Sequence, residues 1–187
     1  MKRLVLSLLG LAAAAACSGS TPTTPNEFIV PLAPSESRVG GPLSSTHLTG
    51  DHEVPPNDSQ AQGQAILKVS EDGLSVSYKL IASNIENVIQ AHIHIGPAGA
   101  NGPVVVFLYG LVPSGGGRHD GVLSEGTFTA ANLVGPMAGQ PLSALLAQIV
   151  AGNAYVNVHT NDGVAPTNTG PGDLPGGEVR GQIRAKK

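Results

Sequence analysis

Three histidines sit at spacings that can do chemistry. His92 and His94 are two residues apart in Gln90-Ala91-His92-Ile93-His94-Ile95, and His159 lies near the end of Tyr155-Val156-Asn157-Val158-His159-Thr160. Both stretches alternate apolar and polar residues, the period of a strand with one buried face. Ile89, Ala91, Ile93 and Ile95 then share one face, and Gln90, His92 and His94 the other. In the second stretch Val156 and Val158 point inward while Tyr155, Asn157 and His159 point outward. If the two strands are neighbours, three imidazoles converge on one patch. Imidazole nitrogens bind copper or zinc, and an i, i+2 pair on a strand offers two rings that a third can complete. His119, in Arg118-His119-Asp120, is a candidate fourth ligand from a loop. The alternative is structural: the imidazoles would hydrogen-bond to Asn157, Glu178 or loop carbonyls and hold the turn from Gly96 to Pro103.

Other chemistries find less support. A dismutase-like two-metal site would consume all six histidines of the chain, and His47 and His52 lie far from the others in sequence. Glu53 and Glu178 would serve a glycosidase only if they faced each other across a cleft, and nothing in their spacing indicates it. Glu178 is expected to form a surface ion pair with Arg180 on its own strand. The stretch from Gly96 to Pro103 lacks the lysine and following helix of a phosphate loop, so it reads as a tight β-connection. Asn161-Asp162-Gly163 and Gly172-Asp173 carry oxygen ligands without the regular spacing of a calcium loop. No Ser-His-Asp or Cys-His set can be assigned.

The elements that must position the histidines are strands. Gly and Pro punctuate short apolar runs from Ser44 onwards, and the spacing predicts strands near 44–52, 62–70, 73–83, 87–95, 103–109, 121–129, 154–160 and 177–185. Asp72-Gly73 is a hairpin signal between the second and third. In the third, Leu74, Val76, Tyr78 and Leu80 are expected inside. Val104 to Tyr109 is apolar on both faces and is expected in the most protected part of the structure. In the last strand Val179 and Ile183 point in, and Glu178, Arg180, Gln182 and Arg184 point out. One helix interrupts the strands, with Leu142, Leu145, Leu146 and Ile149 at helical spacing between Pro141 and Gly152. The fold class is all-β: an antiparallel Greek-key sandwich or flattened barrel of about eight strands with one short crossover helix.

The chain begins with Met1-Lys2-Arg3 and a short apolar run from Leu4, too short for a permanent membrane helix and read as an export signal. It ends at Ala14-Ala15-Ala16-Cys17, which resembles a bacterial lipoprotein signal whose cysteine becomes the lipidated first residue. Ala14 stands where such signals usually have leucine. Residues 18–43 hold Pro22, Pro25, Pro31, Pro34 and Pro42 among Ser, Thr and Gly, the composition of an extended tether. Residues 44–187 make up the β-domain. Cys17 is the only cysteine, so that domain must stand on its core without disulfides. The net charge is −3 with the two basic signal residues included, and no basic patch is present, which argues against nucleic acid and anionic membrane surfaces as partners.

Four segments in order resemble the chordin-type (CHRD) domain. They are Glu53-Val54-Pro55-Pro56; Ala91 to Gly99 with Asn101-Gly102-Pro103-Val104-Val105; Tyr155 to Thr160; and Pro175 to Ile183. The likeness covers about residues 44 to 185. Between Thr160 and Pro175 the family usually has few residues, and this chain inserts Asn161 to Leu174 beside His159. The resemblance implies an all-β extracytoplasmic module. In animal chordins such domains occur in secreted antagonists of bone morphogenetic proteins, and in bacteria in exported proteins. The His-x-His strand is also faintly similar to the copper-binding strand of copper–zinc superoxide dismutases. The sequence therefore leads to a non-enzymatic binding or structural module, exported and lipid-anchored at the cell envelope, with an unidentified envelope or extracellular partner. The alternative is a copper- or zinc-binding protein built on His92, His94 and His159, with redox activity as an extension.

Overall fold

The computed structural model describes residues 43–185. The export signal, Cys17 and the proline-rich stretch up to residue 42 lie outside the described residues.

Eight strands form one antiparallel sheet: β1 (Thr46–Thr49), β2 (Gln62–Val69), β3 (Ser75–Glu86), β4 (Val88–Ile95), β5 (Val104–Tyr109), β6 (Arg118–Thr129), β7 (Ala154–Thr160) and β8 (Val179–Gln182). Their spatial order is β5-β4-β7-β8-β1-β2-β3-β6. The sheet rolls until its two end strands approach. Ser124 Oγ on β6 donates to Leu108 O on β5 at 2.7 Å, and Tyr78 OH on β3 donates to the same carbonyl at 2.8 Å. The result is a nearly closed barrel. Leu43–Ser44 and Arg184–Ala185 pair as a separate two-residue ladder.

Alternation decides what lies inside. Val76, Leu80, Ala91, Ile93, Val156, Val158 and Val179 are fully buried in one apolar cluster, each large member contributing about 1.5–3 kcal/mol on burial. The single helix, α1 (Leu142–Val150), adds Leu142, Leu145, Leu146 and Ile149 to that cluster. Pro141 takes the N-cap, and Gly152 supplies the positive φ of +77° just beyond the C-terminus.

Three expectations need correction. Leu74 is not inside but 68% exposed, because β3 begins at Ser75 and Leu74 belongs to the turn. That turn is otherwise as expected, with Asp72 accepting from Leu74 N at 2.9 Å and from Ser70 Oγ at 2.6 Å. Strand β5 is not the most protected strand but the end of the sheet order, with Phe107 52% exposed. Its apolar run faces the core through Val105, Val106 and Leu108, whereas Phe107 pairs with His92 on the outer face. Third, β6 starts at Arg118 rather than near residue 121, because the β3–β6 ladder resumes at Ile85↔His119 after a register shift.

Candidate metal centre

The register of β4, β7 and β8 lays the outward side chains in rows. Gln90 pairs with His159; His92 with Asn157, and Asn157 with Arg180; His94 with Tyr155, and Tyr155 with Gln182. These side chains point away from the apolar core, yet the face they occupy is closed. His92, His94 and His159 are 3%, 8% and 6% exposed, and every residue of β7 is buried. Alternation assigns a residue to a face and says nothing about what covers that face.

The cover is the Gly96–Pro103 connection, the turn after β1 and the segment before β8, clamped by the row residues themselves. Arg180, 1% exposed, donates to Ala100 O at 2.8 Å, Pro97 O at 3.1 Å and Asn101 Oδ1 at 3.1 Å. Its guanidinium carbon lies 3.4 Å from the centre of the Tyr155 ring, a cation–π contact with a desolvated cation. Gln182 Nε2 donates to Gly96 O at 2.9 Å and Gly152 O at 2.6 Å. Asn101 Nδ2 reaches Val54 O at 2.8 Å and so joins the connection to the Glu53 turn. Gly102 must be glycine, since a Cβ there would collide with Ile95 O.

The expected surface ion pair between Glu178 and Arg180 does not exist. Glu178 is 1% exposed, and its carboxylate accepts from Ser59 Oγ at 2.6 Å, Thr160 Oγ1 at 2.6 Å and Gly172 N at 2.9 Å. Both carboxylates of the family-like motifs are structural. Glu53, 4% exposed, accepts from Asn157 Nδ2 at 2.9 and 3.1 Å. Burial pushes its carboxyl up to about 7, although Arg180 beside it acts in the opposite direction.

The three histidines come together, each offering a nitrogen within 4.8 Å of the others. His94 Nδ1–H donates to Gly102 O at 2.9 Å, and His159 Nδ1–H donates to Pro175 O at 2.9 Å. A carbonyl only accepts, so both protons are assigned to Nδ1, and both Nε2 atoms carry bare lone pairs. His92 Nδ1 lies 3.1 Å from His159 Nε2 and donates to it, which leaves His92 Nε2 bare as well. His92 Nε2 and His94 Nε2 are buried and unpartnered, as is Oδ1 of Asn157, the residue opposite His92. Burial first, then the neighbouring imidazole charges, hold His92 down at about 3; burial holds His159 at about 4 and lowers His94 too. All three are neutral imidazoles at pH 7, the protonation state a metal needs.

This arrangement has the anatomy of a metal site. A ligating histidine characteristically donates its other N–H to a carbonyl, as His94 and His159 do. The 3.1 Å contact from His92 Nδ1 to His159 Nε2 is a hydrogen bond, which an ion taken up through His159 Nε2 would replace. Phe107 sits edge-on over His92, centroids 4.8 Å apart at 86°. The inserted stretch from Asn161 to Leu174 turns towards Asn87, whose carbonyl accepts from Asn161 N and whose side chain donates to Gly172 O. It delivers Pro175 O to His159.

His119 does not join the set. It lies on β6 opposite Ile85, with its own Nε2 buried and unpartnered. His47 and His52 line an open groove of about 580 Å³ with Asp51, Glu53, Arg180 and Gln182, and the histidine set is not part of that lining. Sequence reasoning missed Arg180, Tyr155 and Phe107 as parts of the site. The available signal was an outward aromatic on β7 in a chain with only 3% aromatic residues.

The model of the CHRD domain family matches residues 44–183. No curated protein and no solved structure matches the chain.

Proposed function

The chain belongs to the CHRD domain family, and on that footing we propose that it is a non-enzymatic binding module of the cell envelope, anchored through a lipid on Cys17, that holds a copper or zinc ion between His92, His94 and His159. The family is non-catalytic in general and points to a binding or structural module. The anchor and the export rest on Lys2, Arg3, the apolar run and Cys17.

One observation carries the metal reading: two bare imidazole nitrogens, His92 Nε2 and His94 Nε2, are buried with no donor in reach. An unsatisfied buried polar atom costs about 1–3 kcal/mol. A purely structural histidine would be expected to use both of its nitrogens. Here one nitrogen of His94 and one of His159 hold loop carbonyls, and the three rings offer ligand nitrogens within 4.8 Å of one another. A cation taken up by the three rings would replace the His92–His159 hydrogen bond and leave both loop contacts intact.

The test is a thermal melt of wild type and His94→Ala, each with chelator and with copper or zinc. An ion that binds only the folded state at a hundred times its dissociation constant stabilises by about 2.7 kcal/mol. The wild-type melting temperature should rise by several degrees with metal, and the rise should vanish in His94→Ala. A wild-type melt indifferent to both ions would overturn the proposal.

A further inference from the structure

The donor set, its charge and its enclosure discriminate between ions, and the inference drawn from them rests on the metal reading above. Every ligand atom in the set is a neutral imidazole nitrogen. The buried carboxylates Glu53 and Glu178 are committed elsewhere. Glu53 accepts from Asn157 and has Arg180 beside it, and Glu178 is saturated by Ser59, Thr160 and Gly172. An ion seated here would keep its full charge in a buried place.

A fixed cation lies close by. Arg180 covers one face of Tyr155, and His94 stacks on the same ring at 4.8 Å and 9°. His94 and Arg180 come from the strands on either side of β7, so the tyrosine ring stands between them. Repulsion from that guanidinium doubles for a divalent ion. The cost of desolvating an ion rises with the square of its charge, about fourfold from a monovalent to a divalent ion.

The histidines supply three ligands. Zinc in a closed site takes four ligands, and copper(II) prefers a tetragonal set. Three imidazoles under a closed cover leave Asn157 Oδ1 as the one unpartnered oxygen in these rows. Copper(I), a closed-shell monovalent ion, is satisfied by three nitrogen donors. It loses least by entering a neutral, enclosed site beside a fixed positive charge.

We infer that the His92–His94–His159 site selects copper(I) over copper(II) and zinc(II), its selectivity set by the neutral three-imidazole set, its enclosure and the buried Arg180 cation. No redox turnover is implied, only retention of the reduced ion.

The test uses the exported full-length protein in detergent. Copper(I) is titrated anaerobically with ascorbate against a chromogenic copper(I) chelator, and zinc(II) against a chromogenic zinc chelator at the same pH. The expected result is one copper(I) per chain, held at least about 100-fold more tightly than zinc, since repulsion from Arg180 and the cost of desolvation both grow with ionic charge. X-ray absorption of the copper-loaded wild type should show a copper(I) edge and three nitrogen scatterers, a readout that needs no variant to fold. Zinc held as tightly as copper(I), or a four-coordinate copper(II) spectrum under ascorbate, would overturn the selectivity and leave the metal reading standing. Retention of neither ion would overturn both.

Discussion

The His94 imidazole lies flat on the Tyr155 ring, centroids 4.8 Å apart and 9° from parallel. The contact closes a loop of three interactions. His94 Nδ1–H donates to Gly102 O at 2.9 Å, Gly102 N–H donates to Tyr155 OH at 3.1 Å, and the tyrosine returns to His94 through its ring. Tyr155 also carries Arg180 at 3.4 Å. One side chain thus orients a ligand candidate, pins the connection that covers it and holds the cation beside it.

Removing parts of that residue should separate its roles. Tyr155→Phe deletes the acceptor for Gly102 N and the long donor contact to Gly102 O, and should cost about 1 kcal/mol. Tyr155→Leu also deletes both ring contacts and leaves a cavity, and should cost about 2–4 kcal/mol. Urea unfolding midpoints at fixed pH measure both. Equal costs would mean that the stacking contributes nothing.

Arg180 should resist conservative replacement. Arg180→Met removes the donor to the Pro97 and Ala100 carbonyls, and Arg180→Lys cannot reach three acceptors from one point charge. Each should lose roughly 3 kcal/mol or more, since hydrogen bonds to a charged donor contribute about 1.5–3 kcal/mol each and are not additive. The check is calorimetric unfolding, with proteolysis of the Gly96–Pro103 connection as a local readout.

Glu53 predicts a pH signature of unusual sign. Its folded-state carboxyl sits at about 7, above its ordinary value of 4.5, so the folded protein holds that proton more tightly than the unfolded one. The contribution is fully present below pH 4.5 and is lost as pH rises to about 7. Glu53→Gln stays neutral throughout. It should match wild type near pH 4 and exceed it above pH 7, by at most on the order of 3 kcal/mol. The buried histidines carry the opposite sign, and subtracting the two pH profiles cancels them. A difference profile flat from pH 4 to 8 would show that Glu53 titrates normally.

If the site holds the proposed ion, Phe107 should govern how fast that ion exchanges. It is 52% exposed and rests edge-on against His92. Phe107→Ala should cost about 1 kcal/mol or less in stability, as expected of a half-exposed side chain. Transfer of bound copper to an excess of chelator, followed by stopped-flow absorbance, should accelerate severalfold. An unchanged transfer rate would place the exit route elsewhere.

If the proposed lipid on Cys17 is the anchor, Cys17→Ser should move the protein from the membrane fraction to the soluble exported fraction. Immunoblotting of carbonate-washed membranes measures this. A variant that stays in the membrane would rule out the lipid on Cys17 as the anchor.

The sequence by itself determined the class of fold, most strand positions and the convergence of His92, His94 and His159. Each of these follows from local periodicity: alternation dictates which face a residue takes, and Pro141, Gly152 and Asp72-Gly73 mark where elements begin and end. It also placed Glu178 and Arg180 correctly on an outward face and then mistook that face for solvent. Only the tertiary structure decided otherwise, because burial of an outward face depends on distant segments. The Gly96–Pro103 connection, the Glu53 turn and Pro175 come from three parts of the chain and meet over β7. The same reason explains Phe107 and His119. An apolar run looks alike at the centre and the edge of a sheet, so only strand order made Phe107 a cover and left His119 on β6, outside the histidine set.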